Sequence, residues 1–275
     1  MEKLSAGRDR VSSSENLFEG ARMLTTDYLP GAPCWIDLGS PDTDASTTFY
    51  AAVLDWDFQS AGPDAGGYGF FLHDRKIVAA IGPLTEETTS SAWTIYFATP
   101  DADETVARAE KAGGTIRVAP YDVFDQGRTA ALTDPAGADF AIWQGRGRKG
   151  LDAVTEPGSL GWTELYVASP PAVAPFYAAT LDHQSIEATV AGVGYTTIRL
   201  PGGDRPTIGG VITLNPGTKP FWLPYFEVRD VDAAVEATVT EGGTILDPPV
   251  SVETVGRFAV LADQFGARFA VITSS

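Results

Sequence analysis

The segment Gly113–Trp143 constrains this chain more than any other, because the chain states it twice. It reads GGTIRVAPYDVFDQGRTAALTDPAGADFAIW. Gly242–Ile272 reads GGTILDPPVSVETVGRFAVLADQFGARFAVI, 129 positions later and without a gap. Gly127-Arg128 falls on Gly256-Arg257, Asp134 on Asp263, and Gly137-Ala138 on Gly266-Ala267. Agreement over a whole supersecondary unit marks a repeat, and a repeat restricts the fold before any single element is read.

The flanking sequence supplies the unit. CWIDLG at Cys34–Gly39 alternates apolar and polar residues, as a strand with one buried face does. Asp42 stands at an N-cap position, and Ala45, Phe49, Tyr50, Val53 and Leu54 recur at helical spacing. Asp57–Ala61, Tyr68–His73 and Ile77–Leu84 read as three strands, which makes a βαβββ module. Ala92–Ala98 opens a second one. Asp101 caps its helix, which runs to Ala112 and stops at Gly113-Gly114. Strands follow at Thr115–Val118, Arg128–Thr133 and Asp139–Trp143, with Asp134-Pro135-Ala136-Gly137 as the hairpin turn between the last two.

The program restarts at Gly161–Val167. Trp162 lies 127 residues after Trp35, and Phe176-Tyr177 and Leu181-Asp182 repeat Phe49-Tyr50 and Leu54-Asp55 at the same distance. Trp222, Tyr225 and Phe226 repeat Trp93, Tyr96 and Phe97 at 129. The two-residue change predicts one loop-length difference inside the second half. The chain therefore reads as four βαβββ modules in two halves, 31–146 and 158–275, joined by a charged, Gly/Pro-punctuated linker at 147–157. Residues 1–30 are polar and Ser-rich, without the apolar centre of a secretory signal, and read as a flexible or loosely docked arm. Gly202-Gly203 and Gly209-Gly210 read as hairpin positions, not a phosphate loop.

Composition removes several function classes. Lys+Arg 19 against Asp+Glu 36 gives a net charge of −17, which argues against a nucleic-acid partner. The single cysteine, Cys34, permits no internal disulfide framework and suits a reducing, cytoplasmic setting. No apolar run reaches the roughly 18 residues of a membrane span. A length of 275 residues with 44% hydrophobic side chains is enough for a core in each half. The expected state is a monomer or homodimer.

Four modules of strand, Asp-capped helix with Phe-Tyr, and a D-P-x-G hairpin before the last strand resemble the vicinal oxygen chelate superfamily. That group contains glyoxalase, bleomycin-resistance proteins and extradiol dioxygenases. Within it, the chain is similar to tandem-domain members of antibiotic-producing bacteria, some of them labelled hydroxylase. The resemblance implies an α+β fold of tandem glyoxalase-like domains. In each, two βαβββ modules form a cup of curved sheet, with helices outside and the site inside.

The resemblance also implies where a metal would be held: on the first strand, on the first strand of the next module, and on the strand after the D-P-x-G turn. Here those positions carry Trp35 and Trp162, Thr94 and Leu223, and Ala141 and Ala270. Indole, isobutyl and methyl groups bind no divalent cation, and a lone threonine is no site. The expectation is no metal and no cofactor. His73 and His183 occupy non-equivalent places and read as surface or hydrogen-bonded structural groups. No G-x-S-x-G elbow or Cys–His pair at a recognisable spacing supports nucleophilic catalysis.

Strand alternation sorts the remaining candidates. Ile36 and Leu38 should face the helices. Trp35 and Asp37 should face the cup, and so should their equivalents Trp162 and Glu164. Thr94, Tyr96, Trp143 and Tyr225 share that face. Rings with one carboxylate suit an aromatic, possibly cationic, small molecule. The alternative is that the rings fill a closed core and that Asp37 or Glu164 pairs with Arg128 or Arg257. Two functions remain open. One is a metal-independent binder, serving drug sequestration or as an accessory protein in natural-product biosynthesis. The other is a tailoring enzyme (hydroxylase-like, isomerase or lyase), with Asp37 or Glu164 as conceivable general base.

Overall fold

The computed structural model describes residues 24–84, 90–190, 192–202, 206–215 and 217–275. The first half runs β1 (Pro33–Ser40), α1 (Thr43–Leu54), β2 (Asp57–Ser60), β3 (Gly69–His73), β4 (Lys76–Pro83), β5 (Ala92–Ala98), α2 (Ala102–Lys111), β6 (Thr115–Val123), β7 (Gly127–Thr133) and β8 (Asp139–Gly145). The second half repeats this order as β9 (Leu160–Val167), α3 (Pro170–Leu181), β10 (Gln184–Val190), β11 (Val193–Arg199), β12 (Thr207–Thr213), β13 (Phe221–Glu227), α4 (Val231–Thr240), β14 (Thr244–Val252), β15 (Gly256–Ala262) and β16 (Arg268–Ser274).

Each half forms one eight-stranded sheet, ordered β2-β3-β4-β1-β5-β8-β7-β6 and β10-β11-β12-β9-β13-β16-β15-β14. The opening strands of the two modules meet antiparallel at the centre of each sheet. That pairing sets Trp35 opposite Tyr96 and Asp37 opposite Thr94. In the other half it sets Trp162 opposite Tyr225 and Glu164 opposite Leu223.

The helices start and stop as their sequence dictates. Asp42, Asp101 and Asp230 accept the backbone N–H of Ala45, Glu104 and Ala233, which satisfies an otherwise orphaned donor in each first turn. Asp55 and Asp182 end α1 and α3 in left-handed conformation, a state short polar side chains tolerate.

The four helices lie on the convex side of the sheets, and the two convex sides face each other. Helix α1 packs on α4 of the opposite half, and α2 on α3. The concave faces therefore look away from one another. Phe49, Tyr50 and Phe269 are fully buried where the halves meet. Burying such a side chain contributes roughly 1.5–3 kcal/mol each.

The D-P-x-G aspartate links the halves. Asp134 Oδ1 accepts the N–H groups of Ala136, Gly137 and Ala138 in its own turn. Its Oδ2 accepts the hydroxyl of Tyr177 from α3 at 2.9 Å, and Tyr177 accepts the Trp222 indole N–H at 2.9 Å. The second half returns the contact: Tyr50 donates to Asp263 Oδ2 at 3.3 Å and accepts from the Trp93 indole at 3.0 Å. These two exchanged relays, with the rings around them, fuse the halves into one core. His183 joins in by donating from Nε2 to the Gly31 carbonyl at 2.7 Å.

Several expectations need correction. Residues 1–23 of the arm lie outside the described residues. Leu24 and Tyr28, however, are docked rather than loose. Leu24 is buried, and the Tyr28 hydroxyl donates to the Leu151 carbonyl at 2.6 Å. The 147–157 linker is packed on the first half, with Leu151 and Ala153 buried and the Leu151 N–H donating to Cys34 O of β1. Gly209-Gly210 lies inside β12, not at a hairpin. The offset change is not a single step. Asp37 pairs with Ala80 and Glu164 with Gly210, so the offset grows to 130 across the β11–β12 connection and falls to 129 by β13.

Candidate ligand-binding site

Both concave faces carry the same chain of hydrogen bonds. In the first, the Trp35 indole N–H donates to the Tyr68 hydroxyl at 3.0 Å, and Tyr68 donates to Asp37 Oδ2 at 3.0 Å. The Tyr96 hydroxyl donates to the same oxygen at 2.8 Å. In the second, the Trp162 indole donates to Tyr195 at 3.1 Å, and Tyr195 donates to Glu164 Oε1 at 2.7 Å. Tyr225 and Tyr166 donate to Glu164 Oε2 at 2.5 and 3.1 Å. An indole N–H only donates, so each middle tyrosine must accept from the tryptophan and give its own proton to the carboxylate.

The electrostatics follow from burial. Desolvation raises the pKa of Asp37 to about 6, with the Tyr96 and Tyr68 hydrogen bonds pulling it back. Desolvation also raises Glu164, opposed by Tyr225, Tyr195, Tyr166 and Trp162. Burial and the carboxylate charge drive Tyr68, Tyr96, Tyr195 and Tyr225 well above the usual phenol value, so they remain donors at neutral pH.

Among the described residues, neither carboxylate pairs with an arginine. Arg128 is held by Asp103 and Asp122, and Arg257 by Asp232 and Ser251. The expectation of a structural ion pair is thus replaced by solvation from phenols. Such solvation satisfies a buried carboxylate without a counter-charge.

The curl of the sheet brings distant strands together. Strand β6 lies four places from β1 in the sheet, which is about 19 Å if the strands lay flat. Yet the pKa of Tyr121 on β6 is raised first by partial burial and then by the Asp37 charge. In the second half, side chains from both edge strands close on the central ones. Val190 of β10 and Val252 of β14 line one cavity of about 290 Å³ with Trp162, Glu164, Tyr195 and Phe258. Tyr195 fits because of the β12 glycine, since a Cβ on Gly210 would stand 1.9 Å from its hydroxyl.

The structure places the sequence candidates unequally. Trp162, Glu164 and Tyr225 line this cavity together. Trp35, Asp37, Thr94 and Tyr96 share the concave face of the first sheet through their register. There the Arg148 guanidinium lies 5.8 Å from the Trp35 ring centroid and takes one face of that indole. Trp143 donates its N–H to the Arg148 carbonyl at 2.9 Å and packs over Gly127. The histidines are structural. His183 is buried, and His73 Nδ1 meets the Asp55 carbonyl at 3.0 Å. Tyr68 and Tyr195 are site residues that strand alternation alone did not find, whereas Tyr166 shares the Trp162–Glu164 face by alternation but is not among the named candidates. Tyr68 and Tyr195 lie 127 residues apart, so the repeat itself carried the signal.

The positions from which the resemblance takes metal ligands do not fit a metal. Trp35 and Trp162 use their only polar atom as a donor to tyrosine. Ala141 and Ala270 pair with Tyr96 and Tyr225 and bring no donor atom. Among the described residues, no group of three or more His, Cys, Asp or Glu is gathered as a ligand set. No described helix is long and apolar enough to cross a membrane.

Comparison with known proteins agrees with this geometry. The family model described as Glyoxalase/Bleomycin resistance protein/Dioxygenase superfamily matches residues 34–142 and again 159–271. The chain is 38% identical over 263 residues to an anthracycline biosynthesis protein, DnrV, of Streptomyces peucetius, covering 90% of this chain and 94% of that one. It is 34% identical over 254 residues to a putative glyoxylase of Mycobacterium tuberculosis (strain CDC 1551 / Oshkosh), covering 90% and 96%. Among solved structures, the halotolerant catechol dioxygenase BphC superposes with a TM-score of 0.60 at 12% identity, covering 90% of this chain and 88% of that one. At that identity the likeness concerns fold alone.

Proposed function

Because this chain belongs to the glyoxalase/bleomycin resistance protein/dioxygenase superfamily, we infer that its second cup is used as a binding site for a planar aromatic small molecule, without the superfamily's metal chemistry. The observation that carries this reading is the cavity of about 290 Å³ walled by Trp162, Tyr166, Tyr195, Tyr225 and Phe258 around a single carboxylate. Its size is near the lower end of small-molecule pockets, so it takes one or two fused rings while the rest of a larger ligand projects from the mouth. Glu164 spends both oxygens on three phenols. It organises the ring walls and is not available to a ligand cation, so the second cup favours neutral aromatics.

The relatives named as anthracycline biosynthesis proteins support a place in natural-product biosynthesis. We assign the chain an accessory role there, holding a polycyclic aromatic intermediate. The test is calorimetric titration with a neutral anthraquinone, followed by mass analysis of the recovered ligand. One-to-one binding with unchanged mass supports the accessory role. Conversion of the ligand replaces it with a tailoring enzyme, and no binding overturns the reading.

A further inference from the structure

The two cups share a relay but not its surroundings, and the differences fall on the carboxylate. Tyr166, the third donor to Glu164, has Gly39 at its place in the first half, 127 residues earlier. Leu223 stands opposite Glu164, whereas Thr94 stands opposite Asp37. Asp37 thus lacks one phenol and has a hydroxyl side chain as its strand partner.

The consequence is an unsaturated acceptor. Both phenols that reach Asp37 end on Oδ2. Among the described residues, no hydrogen bond ends on Oδ1. Glu164 keeps only 6% of its surface exposed, while Asp37, Thr94 and Tyr96 are only half-buried on their concave face. Among the described residues, no lysine or arginine is ion-paired with Asp37. Arg128 and Arg146 are held at Asp122, and Arg148 donates to Asp152 and the Gly150 carbonyl.

The rim differs as well. Tyr121 of β6, whose pKa is raised by partial burial and then by the Asp37 charge, keeps 51% of its surface exposed, and Val250 occupies its place in the second half. An aromatic face beside an acceptor with a free oxygen suits a cation carried on a ring.

We propose that the first cup is a second ligand site with its own chemistry, taking a protonated aromatic amine with the ammonium on Asp37 Oδ1 beside Thr94 and the ring against Tyr121. Among the described residues, the titratable groups that interact with Asp37 are Tyr68, Tyr96 and Tyr121, all neutral at pH 7. This site stands apart from the second-cup reading and survives or fails without it.

The experiment uses ¹⁵N-labelled full-length protein, titrated with phenethylamine and, separately, with neutral 2-phenylethanol. The indole N–H signals of Trp35 and Trp162 report the two cups. The expected result is a saturable shift at Trp35 with phenethylamine and none at Trp162. Affinity should fall at least about tenfold for 2-phenylethanol and for Asp37→Asn, the size of a lost charge-assisted hydrogen bond. It should be unchanged in Glu164→Gln, and Thr94→Val should weaken it severalfold in a protein of normal melting temperature. Equal affinity for amine and alcohol, a shift confined to Trp162, or no saturable shift overturns the proposal.

Discussion

The Tyr195 hydroxyl donates to Glu164 Oε1 at 2.7 Å while accepting the Trp162 indole N–H at 3.1 Å. One hydroxyl thereby orients the ring wall and the carboxylate of the second cup together. Tyr68 does the same between Trp35 and Asp37 in the first. A repeat without a metal ligand set at the superfamily's positions carries this relay in both copies.

Removing that hydroxyl should be costly in proportion to burial. Tyr195→Phe leaves a buried indole N–H without its acceptor and Glu164 without one of three donors. The expected loss is about 1–3 kcal/mol. Tyr68→Phe should cost less, because half-buried Asp37 can take water instead. Urea midpoints at unchanged slope check the order, and a larger loss for Tyr68→Phe contradicts it.

The halves should unfold together. Tyr50 and Tyr177 cross between them onto Asp263 and Asp134, inside a shared aromatic core. Calorimetry should show one transition whose calorimetric and van't Hoff enthalpies agree. Tyr177→Phe should lower the melting temperature and keep a single peak. Two separated peaks in the wild type contradict the fused core.

The pH dependence of stability has a predictable sign at two groups. Desolvation raises the Asp37 carboxyl to about 6 in the folded chain, above its usual value of 3.8. Its contribution is fully present below the unfolded value and is lost as pH rises through 6. The loss is on the order of 2–3 kcal/mol before solvent screening reduces it. His183 runs the other way. Burial lowers it from 6.5 to about 4, and its Nδ1 has no partner among the described residues. Its contribution is present above 6.5 and is lost as pH falls through 4. Asp37→Asn should therefore make stability rise more steeply between pH 4 and 6 than in wild type. An identical slope contradicts the assignment of Asp37.

Metal removal should be silent. The side chains at the superfamily's ligand positions bring no ligand set. A chelator should leave the melting temperature unchanged, and elemental analysis of purified protein should find no stoichiometric divalent ion. A chelator-sensitive ion would place a metal site elsewhere in the chain.

Much of this was legible because a strand alternates with period two. Once Cys34–Gly39 and Gly161–Val167 were strands, Trp35 with Asp37 and Trp162 with Glu164 had to share a face. Asp42, Asp101 and the D-P-x-G turn gave the helix starts and the last hairpin. Tyr68 and Tyr195 escaped because they come from β3 and β11, whose approach to the carboxylate depends on hairpin register. Tyr166 was within reach of the same alternation, two residues beyond Glu164, but its counterpart is Gly39 and the repeat does not single it out. Gly209-Gly210 looked like a turn, but Gly210 is a glycine so that Tyr195 can stand against β12. Leu24 and Leu151 are isolated apolar residues without periodicity, and only the packed structure shows what they cover.

The central claim is that the second cup holds a neutral aromatic ligand against Trp162. Calorimetric titration of wild type, Trp162→Ala and Trp35→Ala with the same neutral anthraquinone tests it most directly. Loss of the indole wall should weaken binding about tenfold, the effect of roughly 1.4 kcal/mol. Trp35→Ala should leave it within about twofold, because that ring belongs to the other cup and already carries Arg148. Unchanged affinity in Trp162→Ala, or a loss found only in Trp35→Ala, would contradict the account.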